Sequence, residues 1–211
     1  MIGILGGMGT QAGLDFCNKL AKLNRGKLDQ QYPMFVLYNK SNTPKRPENL
    51  KKYYNVLKAL VDGCKMLQKN KCKFIVMPCN TAHYWQEDIQ KRISIPLISM
   101  PKEVYLHAKK TCKKNSKIGI LCTEATIKTK VYSKYFDKSF QLVSPGKKLQ
   151  KNSVNKAIKF VKMGRVKDAE KAIKSSVNFL IRKKCKKIIL GCTELPIAIF
   201  CLLYTSPSPR D

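Results

Sequence analysis

The sequence is poor in histidine and in closely spaced cysteines. It contains only two histidines, His83 and His107, and none of its nine cysteines forms a Cys-x-x-Cys pair. Because the usual zinc-binding spacings are missing, we predict no metal site. Several cysteines lie within apolar runs, which is typical of the reduced thiols of a cytoplasmic protein.

Segments that would place the chain in a membrane are missing as well. No stretch approaches the roughly 18 consecutive apolar residues that a transmembrane helix needs. The N-terminus, Met-Ile-Gly-Ile-Leu-Gly-Gly, reads as a core strand and lacks the basic start and cleavage site of a secretory signal. We therefore expect a cytoplasmic protein with no membrane partner.

Acidic residues are few, 13 against 42 basic ones, which gives a formal net charge of +29 at pH 7. A basic nucleic-acid-associated protein is thus one interpretation, and it predicts binding that weakens steeply with salt. However, only 6 of the 42 basic residues are arginine, the side chain best suited to reading bases and phosphates. The lysines are spread along the whole chain. We favour a solvated basic surface that attracts small anions, dicarboxylates included, and no specific nucleic-acid partner.

The last eleven residues, 201–211, do not resemble the rest of the chain. They match an in-frame translation of a common transposase sequencing-library adapter, so we interpret 201–211 as a sequencing artefact. On this interpretation the natural chain differs after about Phe200, and we expect its second lobe to be truncated here.

Two internal repeats divide the rest of the chain. Met-Ile-Gly-Ile-Leu at 1–5 recurs as Lys-Ile-Gly-Ile-Leu at 117–121, and the segment 71–81 lines up with 184–194. The offsets, 116 and 113, are nearly equal, and the second pair aligns Cys79 with Cys192. We predict two lobes of similar construction, 1–100 and 101–200.

Short apolar runs alternate with amphipathic segments throughout both lobes. This alternation predicts an α/β fold with two pseudo-symmetric parallel-sheet lobes and an active site in the cleft between them. The predicted strands are 2–5, 34–38, 74–77, 95–99, 118–122, 140–143 and 187–190. The predicted helices are 47–70, one opening at Pro101, 150–163 and 166–183, with Gly164 as a C-cap.

Cys79 and Cys192 both follow a predicted strand, at the sheet edge where ligands of parallel α/β proteins bind. If the lobes face each other, a substrate between them has a sulfur on each face of its central carbon. One thiolate removes a proton from that carbon, and the other thiol returns one to the opposite face. Both cysteines precede expected helix starts, which lower a thiol pKa, with capping side chains supplied by Asn80-Thr81 and Thr193-Glu194.

The segment Gly-Gly-Met-Gly-Thr at 6–10 follows the first strand and precedes a helix. It lacks the G-x-G-x-x-G and GK[ST] patterns of nucleotide loops. We predict instead that its backbone approaches a small anionic ligand, with Met8, Gly9 and Thr10 as the contacts.

Three motifs resemble the aspartate/glutamate racemase family, in particular its aspartate racemase branch: Ile-Leu-Gly-Gly-Met-Gly at 4–9, Pro-Cys-Asn-Thr-Ala-His at 78–83 and Gly-Cys-Thr-Glu-Leu-Pro at 191–196. The resemblance extends from Met1 to about Phe200. It implies an amino-acid racemase without a cofactor, a homodimer as in many members, and Cys79 and Cys192 as the catalytic acid–base pair. Aspartate is the expected substrate.

The resemblance also implies substrate contacts. Arg46 matches the family's carboxylate-binding arginine, and Lys162 matches a lysine that meets the substrate. The remaining expected contacts are hydroxyl, amide and carboxylate side chains close to the two cysteines: Asn80, Thr81, Thr123, Thr126, Thr193 and Glu194. Thr10 stands where the family usually has proline, and Lys45 replaces an acidic residue.

Other functions stay open at this point. Glutamate or broad specificity, a hydantoin-type racemase and a maleate isomerase all suit the same scaffold. A thiol-redox protein using Cys72 with Cys79, or Cys185 with Cys192, is a further alternative. An extended strand holds the members of each such pair too far apart for a disulfide.

Overall fold

The computed structural model describes residues 1–46, 50–136 and 138–203, with only the backbone described for 200–203. The strands are β1 Ile2–Gly6, β2 Phe35–Asn39, β3 Phe74–Val76, β4 Lys117–Cys122, β5 Gln141–Val143 and β6 Lys187–Gly191. The α-helices are α1 Thr10–Leu23, α2 Tyr53–Lys69, α3 Gln86–Gln90, α4 Met100–Thr111, α5 Glu124–Lys128, α6 Ser133–Phe136, α7 Lys147–Leu149, α8 Lys156–Lys162, α9 Val166–Arg182 and α10 Leu195–Leu203. Short 3-10 helices cover Asp29–Gln31 and Thr81–Trp85, and Gln150–Asn155 is π-helical.

The strands form two parallel sheets with the same internal order. The first has the order β2-β1-β3 and the second the order β5-β4-β6. In each sheet the repeated Ile-Gly-Ile-Leu strand is central, and the strand that leads to Cys79 or Cys192 lies beside it. The predicted α/β class with two pseudo-symmetric parallel sheets is confirmed.

Each sheet is covered by amphipathic helices that bury one face. In the first sheet α2 supplies Val56, Leu60, Cys64 and Leu67, all fully buried, to a core shared with Ile75 of β3. In the second sheet two separate hydrophobic clusters form, one of them around α8 and α9 and the other around Phe136 and Phe140. The helix predicted at 47–70 is thus confirmed from Tyr53 to Lys69, with one face buried.

Two predicted elements differ from the observed ones. The run 95–99 makes only an isolated bridge between Ile75 and Leu97, because Pro96 has no N–H to donate to a longer ladder. The helix predicted from Pro47 begins at Tyr53, and residues 47–49 lie outside the described part of the chain.

The helical region before Gly164 is also more irregular than predicted. It begins at Lys147 and contains the π-helical segment before α8. Gly164 follows this helix with φ +74°, and its N–H donates to the carbonyl of Val161, as expected of a glycine that ends a helix.

The positions of the helices and strands do not test where the two lobes begin and end. The boundaries 1–100 and 101–200 stay a prediction. Of the segment interpreted as an artefact, residues 201–203 continue the backbone of α10, and 204–211 lie outside the described residues. No helix in the described part of the chain is both long and apolar enough to cross a membrane.

Candidate active site

A pocket opens at the carboxyl ends of the strands. Loops that follow β1, β2, β3, β4 and β6 contribute to it, together with the end of α8. Ligands of parallel α/β folds bind at this edge because the loops of neighbouring strands converge there. Its lining comprises Met8, Arg46, Cys79, Asn80, Thr81, Thr123, Lys162, Gly191, Cys192, Thr193 and Glu194.

The two repeated cysteines lie in this same pocket. Cys79 follows β3 and Cys192 follows β6, and each thiol-bearing residue is 7% exposed. Their loops are tied directly together, because the hydroxyl of Thr193 donates to the carbonyl oxygen of Pro78 at 3.2 Å. A molecule in the pocket therefore meets one thiol from each half of the chain.

Cys192 interacts with a buried carboxylate. Its Sγ donates to Glu194 Oε2 at 3.0 Å. Burial of the thiol and the negative charge of Glu194 raise the pKa of Cys192 well above its ordinary value. This is the opposite of the lowered pKa expected from a helix start, since desolvation and the nearby carboxylate outweigh any effect of α10, which begins at Leu195.

Three pocket residues carry a buried polar atom that makes no hydrogen bond within the described residues: Arg46 Nε, Asn80 Nδ2 and Glu194 Oε1. Unpaired buried polar atoms are rare, and each one costs stability unless a ligand or water satisfies it. Two of the three are donors and the third is an anionic acceptor. This set complements a ligand that carries a carboxylate and an ammonium group.

Arg46 joins two loops of the pocket. Its guanidinium donates to the carbonyl oxygen of Met8 at 2.7 Å and to that of Pro44 at 3.0 Å. Only 8% of the residue is exposed. These bonds hold the guanidinium in place before any ligand arrives, and they fix the loop after β1 against the loop after β2.

Lys162 reaches the pocket from the end of α8. Its Nζ lies 3.6 Å from Glu194 Oε1, and half of its side chain is exposed. Because this ion pair is partly solvated, its contribution to stability is small. With Arg46, the pocket lining therefore contains two cationic side chains and one anionic side chain, Glu194.

The predicted helix caps at the two cysteine motifs are not formed. Asn80 makes no capping hydrogen bond; instead its Oδ1 accepts from the Tyr132 hydroxyl at 2.6 Å. Thr193 likewise binds Pro78 across the pocket. Both side chains bind the other half of the chain because the loops pack face to face, which a local capping rule does not anticipate.

Three predicted threonines bind one another. Thr81 is 3.0 Å from Thr123 and 2.8 Å from Thr126, and Thr123 and Thr126 are 3.0 Å apart, all measured between hydroxyl oxygens. Thr81 and Thr123 line the pocket, whereas Thr126 is buried behind them. The threonines thus join the loop after β3 to the start of α5.

The backbone of the Gly-Gly-Met-Gly-Thr segment at 6–10 packs closely against other residues of the protein. A Cβ on Gly7, which has φ +81°, would lie 2.2 Å from the carbonyl carbon of Lys40. A Cβ on Gly9, with φ +141°, would lie 2.6 Å from Glu194 Oε1. Of the three predicted ligand contacts in this loop, Met8 lines the pocket, Gly9 abuts Glu194, and Thr10 is exposed at the start of α1, outside the lining.

His83 supports the loop that carries Cys79. The Met100 N–H donates to its Nε2 at 3.2 Å, so Nδ1 carries the proton and donates to the Cys79 carbonyl at 2.9 Å. Burial lowers the pKa of His83 to about 4. At neutral pH the ring is therefore neutral and connects the cysteine loop to the start of α4.

This histidine predicts a loss of stability in mild acid. The unfolded chain binds a proton near pH 6.5, whereas the folded protein resists it until about pH 4. The contribution of neutral His83 to the free energy of unfolding is thus fully present above pH 6.5 and is lost as the pH drops towards 4. The loss is about 2 kcal/mol at pH 5. Urea unfolding at pH 7 and pH 5 measures this loss, and His83→Gln should be less stable at pH 7 but lose less on acidification. His107→Gln, at the exposed histidine, should retain the full loss; an equal acid loss in His83→Gln would contradict the assignment.

Two contributors to the site were absent from the predicted residues. Gly191 lines the pocket directly before Cys192, and a Cβ there would lie 2.9 Å from Cys122 Cβ. Its position in the Gly-Cys-Thr-Glu motif was the available signal. Tyr132, which orients Asn80, lies in a segment without any motif, so nothing in the sequence indicated it.

The described residues contain neither a metal-binding cluster of side chains nor a disulfide. No cluster of three or more His, Cys, Asp or Glu side chains suited to a metal ion occurs there. The cysteines with described side chains are free thiols, including the pairs considered for redox chemistry.

Comparisons with known proteins agree with this architecture. The family model described as Asp/Glu/Hydantoin racemase matches residues 5–200. The broad specificity amino-acid racemase RacX of Bacillus subtilis is 31% identical over 199 residues, 92% of this chain and 86% of that protein. A glutamate racemase of Persephonella marina is 25% identical over 81% of this chain, which spans 65% of that protein. Among solved structures, the Picrophilus torridus aspartate racemase has a TM-score of 0.85 and 30% identity, covering 98% of this chain and 86% of its own.

Proposed function

The chain belongs to the Asp/Glu/hydantoin racemase family, isomerases that act on amino acids, and from this premise we propose that it is a cofactor-independent aspartate racemase. Cys79 and Cys192 are its proposed acid–base pair. The observation that supports this most directly is that one pocket contains both thiols, one from each repeat.

The pocket lining supplies partners for both charged groups of an amino acid. Arg46 Nε and Asn80 Nδ2 are buried donors suited to the α-carboxylate, and Glu194 Oε1 is a buried acceptor suited to the ammonium group. Holding these two groups fixes the orientation of the third substituent, the α-hydrogen. Donors on the carboxylate also stabilise the negative charge that develops there when the α-proton leaves.

The proposed reaction is two proton transfers. The thiolate of one cysteine takes the α-proton, and the electron pair of the broken C–H bond passes into the carboxylate-stabilised carbanion. The thiol of the other cysteine then protonates the opposite face of the carbon. The substrate leaves inverted, the pair has exchanged its protonation states, and solvent restores the starting state. No cofactor is required because both proton-transfer groups belong to the chain.

The charges favour a dicarboxylic substrate. The lining contains the cations Arg46 and Lys162 and the anion Glu194, which complements two carboxylates and one ammonium group. The similarity to an aspartate racemase structure supports aspartate, whereas the similarity to a broad specificity racemase makes wider acceptance the competing outcome. The charge balance disfavours amino acids with neutral side chains, and between the two dicarboxylic amino acids the similarity to the aspartate racemase structure is the reason to prefer aspartate to glutamate. A homodimer is part of the same proposal and rests on the family resemblance, whereas a cytoplasmic location rests on the sequence features described above.

Exchange in heavy water tests the proposal. The protein is incubated with L-aspartate in D₂O without added cofactor, and the α-proton signal is followed by NMR alongside the formation of D-aspartate. Loss of the signal in step with inversion is expected. Comparable rates with L-glutamate and L-alanine would replace aspartate by broad specificity. No exchange with any of the three amino acids would overturn the proposed activity.

A further inference from the structure

The tripeptide Cys-Thr-Glu occurs twice in the second half of the chain, at 122–124 and 192–194. The first follows β4 and the second follows β6, and these strands are neighbours whose register places Cys122 opposite Gly191. The same three residue types thus leave adjacent strands at the same edge of one sheet. The two copies differ in where the glutamate side chain goes.

In the first copy the glutamate does not contact the cysteine. Glu124 is exposed, and its Oε1 accepts from Asn155 Nδ2 at 2.9 Å. Cys122 is fully buried, and burial alone raises its pKa to about 12. This copy therefore consists of an inert core thiol and a surface carboxylate.

In the second copy the glutamate turns back into the pocket. Only 4% of Glu194 is exposed, and one of its oxygens, Oε2, accepts from the thiol of Cys192 at 3.0 Å. Its other oxygen, Oε1, makes no hydrogen bond to any described residue, and Lys162 Nζ lies 3.6 Å from it. Gly9 provides the space for this carboxylate, because a side chain at that position would overlap Oε1.

The other titratable and charged groups near Cys192 come from several elements. Cys79 acts on it from the loop after β3, and Tyr132 interacts with it electrostatically from the segment between α5 and α6. Arg46 and Lys162 complete the charged lining of the pocket. Of these groups, Glu194 alone is hydrogen-bonded to the thiol among the contacts of the described residues.

We propose that Glu194 is a positioning residue that holds Cys192 as a protonated thiol in the substrate-free protein, so that Cys192 starts as the acid of the pair. This inference rests on the proposed function for its catalytic meaning, but the protonation state it describes belongs to the free protein. A carboxylate that accepts a thiol hydrogen bond favours the neutral thiol and repels the thiolate. The raised pKa of Cys192 agrees with this arrangement.

The second oxygen of Glu194, Oε1, makes no hydrogen bond to any described residue and has only the partly solvated Lys162 as an ion-pair partner there, so it can respond to substrate. When a substrate ammonium group pairs with Oε1, its positive charge offsets the carboxylate that faces Cys192. The thiol is then easier to ionise, which the reverse reaction requires. Glu194 thus links the binding of the ammonium group to the protonation of the sulfur on one face of the substrate.

Alkylation of the free protein tests the inference without relying on activity. The rate of iodoacetamide labelling of Cys192, read by mass spectrometry of its peptide between pH 6 and 11, reports its thiolate. In Glu194→Gln, which keeps the shape of the side chain and removes its charge, labelling of Cys192 at pH 8 should rise about 10-fold or more. The midpoint of its pH profile should fall by about one unit or more, since one unit corresponds to tenfold.

The matched control is Glu124→Gln in the first copy of the tripeptide, which should leave the Cys192 profile unchanged. Labelling of Cys79 in the same samples reports whether the pocket has simply opened, because opening would accelerate both thiols at every pH. An unchanged Cys192 profile in Glu194→Gln would overturn the inference. So would equal, pH-independent acceleration of both cysteines.

A second readout separates this inference from the proposed function. If the protein racemises aspartate, the alkaline limb of kcat/KM should move to lower pH in Glu194→Gln, because Cys192 then loses its proton earlier. A shifted alkylation profile in a protein without racemase activity would reject the proposed function and keep the inference. Activity with an unshifted profile would do the reverse.

Discussion

Cys79→Ser and Cys192→Ser are each expected to lose racemisation by about 10³-fold or more, while each keeps slow α-proton exchange with a different enantiomer. The two thiols line one pocket and come from opposite halves of the chain, so each serves one face of the substrate carbon. A serine hydroxyl is far less acidic than a thiol and neither removes nor returns the proton effectively. Inversion needs both faces, whereas exchange needs only one.

The measurement is NMR in D₂O with each enantiomer of aspartate supplied separately. One variant should exchange the α-proton of L-aspartate with retention, and the other that of D-aspartate. Cys17→Ser, in α1 and outside the pocket, controls for the general loss of a thiol and should behave as the unmodified protein. Normal racemisation by the double variant would disprove the mechanism, and exchange of the same enantiomer by both variants would disprove the assignment of one face to each thiol.

Arg46→Lys is expected to lower kcat/KM about 10- to 100-fold, mostly by raising KM. The guanidinium already donates to Met8 and Pro44 and has Nε left for a ligand. An ammonium group cannot make these divergent bonds at once, so either the loops or the substrate carboxylate lose a partner. The loss is larger than for a surface arginine because the guanidinium is buried and held in place.

Steady-state kinetics in both directions measure this effect. The kcat/KM values for L-aspartate and D-aspartate should fall by the same factor. The equilibrium constant of a racemisation is one, so these two values must be equal in every variant. Arg92→Lys, at an exposed arginine that binds Asp88, is the matched control and should change neither constant. A normal KM in Arg46→Lys would remove Arg46 from the proposed carboxylate site.

Much of this architecture is predictable because it follows from repetition and position along the chain. The repeated Ile-Gly-Ile-Leu and cysteine segments become the central and flanking strands of two sheets with the same order. Residues directly after parallel strands meet at one edge, so the motifs that contain Cys79 and Cys192 line one pocket. Whether a residue directly follows a strand can be predicted from the sequence alone.

The bonds between the two halves could not be predicted in the same way. Local rules assign Asn80 and Thr193 to helix caps, yet they bind Tyr132 and Pro78, more than 50 positions away in the chain. The contrast between Glu124 and Glu194 has the same origin, because identical tripeptides acquire different partners from the surfaces packed against them. Such contacts depend on how the sheets are placed relative to each other.

The three mutually bonded threonines have a consequence for proton order in the site. Thr81, Thr123 and Thr126 share three contacts, and three hydroxyls have three protons, so a complete ring requires every hydroxyl to donate in the same rotational sense. The ring therefore has two mirror arrangements, clockwise and anticlockwise, which interconvert only when all three hydroxyls turn together. A ligand that accepts a hydrogen bond from Thr81 or Thr123 breaks this cycle, because that hydroxyl can then no longer donate to its neighbour, whereas a ligand that donates to them leaves the cycle intact.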